Sequence, residues 1–223
     1  MTEIGELYDK DIKCPTCDKQ FKTKKVRRSK LRLTKRDEDF LSYYERQNPL
    51  KYNIYVCPNC GYAASESRFS SLSYENKQII LEKITSKWNK RSYGHERTAE
   101  EAIETYKLAL YIGELLNYGK VELGFLCLSI AWLYRIEEVQ EEEVRFLGLA
   151  RDLFEEGYYK ESLVNVNIDE LRLGYLVGEL NRRLGNKEEA LKWFNTVLSN
   201  PDLKYNPMID KMTREQWRLT REG

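Results

Sequence analysis

The sequence predicts a mainly α protein, a set of helical hairpins preceded by a small N-terminal β module organised by a metal ion. Three observations carry that prediction. Four of the five cysteines fall in two pairs near the start, Cys14-Pro15-Thr16-Cys17 and Cys57-Pro58-Asn59-Cys60. After Gly61 the texture changes, and apolar residues recur at helical spacing. The charge is divided as well. Residues 1–97 carry 21 basic and 13 acidic residues and residues 98–223 carry 16 and 23, so a net charge of +1 hides two modules of opposite sign.

The spacing of the cysteines has a physical reason. Two intervening residues let the chain close into a tight knuckle that turns both thiolates toward one ion. A proline pre-sets each turn, and Gly61 permits left-handed backbone just after the second ligand. Two knuckles make the four-sulfur tetrahedral cage that Zn²⁺ accepts, with no open position for water, so Cys14, Cys17, Cys57 and Cys60 form a closed, structural site. Four thiolates also hold iron in rubredoxin-like sites, which leaves an iron electron carrier open; colour in the purified protein decides between the two. Redox or disulfide pairing is the remaining alternative, and in an intracellular chain such pairs are more often metal ligands. Cys127, in the apolar run Leu123–Leu133, reads as a buried structural thiol.

The pairs are separated by 39 residues, against about 15–20 in the commonest arrangement. The stretch between them is therefore an insertion that leaves the knuckles adjacent, most simply a long hairpin. Lys19–Leu33 and Tyr52–Val56 supply strands, and Asp37–Asn48 is expected as a short helix ended before Pro49. Within the insertion, Lys19–Arg36 holds ten basic residues in eighteen and no acid. Lys24, Lys25, Arg27, Arg28 and Arg32 could neutralise nucleic-acid phosphates, with Phe21, Tyr43 and Tyr44 available for base stacking. Two other readings stand beside it: docking of the basic half on an acidic surface, of this chain or another, and a solvated face offset by Asp37-Glu38-Asp39.

Beyond Gly61 a first helix is expected over Tyr74–Lys90. Thr98 and Glu101 form a capping-box signature that opens a second helix, running to Asn117. Val121–Ile136 and Glu142–Gly157 follow, with a loop over Tyr158–Asn167. Asn167 with Glu170 and Asn186 with Glu189 are expected to cap the next two helices, and Asn206-Pro207 begins the last. The domains implied are a head over 1–65, a connecting helix and linker over 66–97, and a helical domain over 98–223. Helix pairs joined by short turns, none able to bury its face alone, suggest a repeat array.

Leu171–Asp202 resembles a tetratricopeptide repeat. Gly178 stands at the small position of the first helix and Leu184-Gly185 at the turn. Ala190, Phe194 and Val197 follow in the second helix, and Pro201 closes the unit one residue early. Ala102, Tyr106 and Ala109 repeat the same spacing 88 residues earlier. Asn181 departs from the pattern, which has an aromatic there. The last helix, with Lys211, Arg214, Arg218 and Arg221, looks like the polar cap that closes such arrays. A tetratricopeptide-like tail behind a CPxC…CPxCG head resembles domain-of-unknown-function family 2225, a bacterial family. The resemblance implies a zinc-ribbon-like head and a helical tail, and it implies no activity.

In tetratricopeptide repeats partner peptides lie in a concave groove lined by first helices. Carried onto the matching repeat, the groove positions are Arg172, Tyr175, Glu179, Arg182 and Arg183, and three arginines suit carboxylates or a phosphate. An acidic protein or peptide segment is the expected ligand, with a solvated helix face as the plain alternative. No catalytic constellation emerges. The single histidine, His95, sits in a linker, no phosphate-binding glycine loop is present, and the best nucleophiles belong to the cage. The runs Asp37-Glu38-Asp39 and Glu141-Glu142-Glu143 read as charged faces and helix N-termini. The expectation is a non-enzymatic adaptor. With an acidic N-terminus, MTEIGELYDKD, and no apolar run near the roughly 20 residues of a membrane span, a cytoplasmic location without membrane contact is expected.

Overall fold

Charge pairing shapes the first hairpin. In a computed structural model, which describes residues 5–166 and 168–222, β1 (Leu7–Lys13) runs antiparallel to β2 (Gln20–Val26). The register sets Asp9 opposite Lys24 and Asp11 opposite Lys22, so cross-strand attraction supports the alignment. Two further antiparallel pairs follow, β3 (Leu33–Arg36) with β4 (Ser42–Tyr44) and β5 (Ile54–Val56) with β6 (Ala63–Ser65).

The helix expected over Asp37–Asn48 does not form. Residues 37–41 make a tight turn in which the Phe40 N–H donates to Asp37 O (3.0 Å) and the Asp37 N–H to Leu41 O (2.8 Å). Phe40 sits at φ +73°, in the left-handed region, which a right-handed helix cannot include. Pairing of Ser42–Tyr44 with β3 then takes the residues that the helix would have used.

α1 spans Tyr74–Lys83, capped by Ser73, and a single 3₁₀ turn at Thr85–Lys87 replaces its expected last two turns. α2 (Ala99–Leu115) opens with the full capping box, Glu101 N–H to Thr98 Oγ1 at 3.1 Å and Thr98 N–H to Glu101 Oε2 at 3.0 Å. Its buried face, with Ala102, Tyr106, Ala109 and Ile112, packs on β5 and β6, and the Tyr106 hydroxyl donates to Leu50 O (3.1 Å). The expected boundary near residue 97 is therefore displaced. One unit comprises the chain up to Arg36 together with Ser42–Tyr118, and the other comprises Asp37–Leu41 together with the chain from Gly119. The spacing of α2 matches that of the later repeat, but its apolar stripe is used against strands.

The second unit is built from α3 (Lys120–Ile136), α4 (Gln140–Lys160), α5 (Glu170–Arg183), α6 (Lys187–Leu198) and α7 (Pro207–Glu222). Consecutive helices pack on one another. Close approach is bought by glycine at matched places: a Cβ on Gly124 would lie 2.7 Å from the Phe154 ring, and one on Gly178 2.7 Å from the Phe194 ring. Leu171, Tyr175, Ala190, Phe194, Val197, Leu203 and Ile209 form a core around α5, α6 and α7.

In the second unit, too, helix ends differ from expectation. α4 continues through Tyr158 to Lys160. Asp169 caps α5, accepting from the Arg172 N–H (2.8 Å), while the expected cap Asn167 lies outside the described residues. Asn186 precedes α6 without a side-chain capping bond. No described helix is long and apolar enough to cross a membrane.

Candidate metal centre and helical groove

The two cysteine pairs fold into the same local structure. In the first, the Asp18 N–H donates to Cys14 O and the Cys14 N–H to Lys19 O; in the second, the Gly61 N–H donates to Cys57 O and the Cys57 N–H to Tyr62 O. The residue after each second cysteine is left-handed, Asp18 at φ +58° and Gly61 at φ +76°. A glycine is required only at the second, because a Cβ there would fall 2.6 Å from Trp88 Cδ2. That indole covers the knuckle and donates its N–H to Pro58 O (3.0 Å), and the Thr85 hydroxyl donates to Cys60 O (3.0 Å).

The knuckles meet. Cys14 Sγ lies 3.5 Å from Cys60 Sγ and Cys17 Sγ 3.6 Å from Cys57 Sγ, and all four sulfurs lie within 4.8 Å of one another. A tetrahedral site with metal–sulfur bonds of about 2.3 Å sets its sulfurs about 3.8 Å apart, so the arrangement fits one ion. The sulfurs are too far apart for bonded pairs, at about 2 Å. Cys14, Cys57 and Cys60 have no exposed surface, and Cys17 is partly exposed. Crowding splits their acidities. Hydrogen bonds from the Cys14 and Cys60 thiols pull the Cys57 thiol down to about 4, while contact with Cys57 pushes the Cys14 thiol up and contact with Cys14 pushes the Cys60 thiol up. A cation would take the place of those shared protons.

The expected groove residues are not laid out as an open face. Arg172 is tied to its own helix cap, Asp169. Tyr175 and Glu179 are fully buried. Arg182 holds Glu179 through two hydrogen bonds of 2.7 and 2.8 Å, and Arg183 reaches the same carboxylate at 2.8 Å. What covers the face is an acidic segment of the same unit, Asp37–Leu41. Tyr175 donates its hydroxyl to Glu38 O (3.0 Å) and packs on the Phe40 ring at 5.6 Å, and Arg183 donates to Glu38 Oε2 (3.1 Å).

Two residues of α3 that the sequence reading passed over complete this contact. Arg135 donates to Asp37 (2.9 Å) and twice to Asp39 (3.0 and 2.7 Å), and its Nε holds Glu143 (2.6 Å). Trp132 donates its indole N–H to Asp39 (3.1 Å). Burial opposes the Arg135 charge, but Asp39 and Glu143 outweigh it and hold the guanidinium above its usual range.

With this geometry in view, the sequence matches the model of a family described as "Uncharacterized protein conserved in bacteria (DUF2225)" over residues 7–220. The chain belongs to the DUF2225 family. A Borreliella burgdorferi protein, itself described only as "Uncharacterized protein", is 25% identical over 182 residues, which covers 74% of this chain and 65% of that relative's length. No solved structure matches this DUF2225 chain.

The basic stretch of this DUF2225 protein is partly neutralised by acids that lie elsewhere in the sequence. Lys24 pairs with Asp9 (2.8 Å). Lys25 and Lys10 converge on Glu66; burial raises that carboxyl, but the two ammonium groups outweigh it and hold it at about 2. The Arg27 guanidinium lies over the Tyr8 ring (5.1 Å) and donates to Gly5 O. Arg28 sits in an exposed 3₁₀ turn, and Arg32 donates to the carbonyls of Ser29 and Leu31. His95 pairs with Glu101 of the capping box (2.7 Å), and Cys127 is buried.

Proposed function

We propose that this protein is a non-enzymatic adaptor. Zinc held by Cys14, Cys17, Cys57 and Cys60 organises its first unit, and the tetratricopeptide-like hairpins of its second offer a surface to a protein or peptide partner of acidic character. The observation that carries the reading is the cage itself, four sulfurs within 4.8 Å of one another, three of them without exposed surface. Such a donor set leaves no coordination position for a substrate, so the ion's contribution is to hold two knuckles together. Zinc suits it as a redox-silent ion with a tetrahedral preference. Iron, the alternative, would announce itself by colour.

Metal analysis of the purified protein tests this. One zinc per chain is expected, and it is lost from Cys57→Ser. A Cys57→Ser protein with unchanged metal content would sink the assignment, and a coloured, iron-loaded protein would move the site to electron transfer. The adaptor half of the reading is tested by affinity capture from native cells with and without nuclease. A defined protein partner that survives nuclease supports it. Partners that vanish with nuclease transfer the weight to Arg28, Arg32 and the neighbouring lysines, whose binding would then weaken steeply with salt.

A further inference from the structure

We propose that the face shared by α3 and α5 is a peptide-binding site for an acidic segment of the form Asp-x-Asp-aromatic-aliphatic, and that Asp37–Leu41 is its resident occupant, displaceable by such a segment from a partner. This rests on reading the helical unit as a protein-binding scaffold and names the ligand of that scaffold.

The contact has the form of ligand recognition. Asp37 and Asp39 meet Arg135, Asp39 meets Trp132, and Glu38 presents its backbone carbonyl to Tyr175 and its carboxylate to Arg183. Phe40 lies on the Tyr175 ring and Leu41 is buried. The turn's own backbone bonds close within the five residues, so releasing it opens no rung of α3 or α5. The receiving side is also prepared for release. Arg135 keeps Glu143, and Arg182 and Arg183 keep Glu179, all on the second unit's own helices. No arginine is left as an unpaired buried charge when the segment leaves, which removes the largest penalty on departure. The left-handed Phe40 adds a backbone cost that only the bound form bears.

Because the occupant is tethered, it competes at an effective concentration on the order of millimolar, and a partner's segment sees a blocked site. The probe is a fluorescent peptide of residues 33–45 of this sequence, titrated into the full-length, metal-loaded chain. Weak binding is expected for the wild type, and binding at least about tenfold tighter for Asp37→Asn/Asp39→Asn, where the resident is weakened. Adding Arg135→Ala to that variant, or both Asp→Asn changes to the peptide, should abolish the gain. If the variant keeps its helical circular dichroism and binds no tighter than wild type, the proposal is wrong. Should the variant not fold, hydrogen exchange on the wild type decides: millimolar peptide is expected to speed exchange at the Asp37 and Phe40 amides severalfold. Exchange there only at the rate of α3 and α5, whatever the peptide, makes the segment a fixed strap and overturns the proposal. The adaptor reading has its own test in the nuclease-resistant partner, so the two can fail separately.

Discussion

Arg97 shows how one side chain can gather the backbone of several elements at one point. It is 3% exposed and donates to Tyr93 O (2.8 Å), Lys51 O (3.0 Å), Ile54 O (2.8 Å) and Thr23 Oγ1 (3.3 Å), and among the described residues its hydrogen bonds include no carboxylate. Burial lowers its pKa to about 10, so it stays charged at neutral pH. Among its described residues the first unit has three two-stranded sheets and little continuous ladder, and this guanidinium ties β2, β5, the turn before β5 and the linker before α2 to one point. Its planar fork is what allows several carbonyls to be met at once. Arg97→Met should cost about 3 kcal/mol by leaving buried carbonyls unpaired, and Arg97→Lys should recover little of it. Denaturant titration checks both, and a wild-type midpoint for Arg97→Met would show the carbonyls find other donors.

At the scale of elements, three helices end alike. Asn117, Glu138 and Gly185 each follow a helix in the left-handed conformation, at φ +53°, +58° and +79°. Each is followed by an N–H that reaches back five residues, from Tyr118 to Gly113, Val139 to Tyr134 and Asn186 to Asn181. Only Gly185 announced its turn, because glycine is the residue that signals this geometry. At Glu138 a β-carbon is held in the left-handed region on an exposed residue, and among the described residues its side chain makes no hydrogen bond or ion pair. Glu138→Gly should therefore stabilise the second unit by about 0.5–1 kcal/mol, read as a raised thermal midpoint; an unchanged or lowered midpoint would show that the strain is offset elsewhere.

Other elements were legible for plain reasons. The capping box of Thr98 and Glu101 is a local signal, and the helices α2 to α7 follow apolar periodicity, so both could be read from short windows. What could not be read was non-local. The partners of Lys24 and Lys25 are Asp9 and Glu66, outside the basic run, and the acids of the 37–39 run that meet Arg135 and Arg183 lie about a hundred residues or more before them. The cysteine cage is the exception, a long-range contact whose spacing within each pair betrays it.

For the molecule as a whole, the cage and the hairpins make separable demands on stability. The first unit gathers four sulfurs that could hold an ion and would repel as thiolates without one, whereas α5 to α7 share a continuous apolar core. Chelation should unfold the first unit and leave most helical signal in place, with amides of β5 and β6 losing protection while those of α5 and α6 keep it. Simultaneous loss in both sets would show that the second unit cannot stand without the metal.

The acidic segment carries a consequence for the order in which the chain becomes itself. Its contacts with Arg135, Tyr175 and Arg183 span 98, 137 and 145 residues. On a ribosome adding about 5–20 residues per second, Asp37–Leu41 has been exposed for on the order of ten seconds before α5 can emerge to receive it. Both cysteine knuckles are complete well before that. An ion that the four cysteines could hold would thus be within reach of the nascent chain early, whereas full seating of the acidic turn waits for α5. Until α5 emerges, Glu38 and Phe40 are without the Tyr175 and Arg183 side chains that hold them.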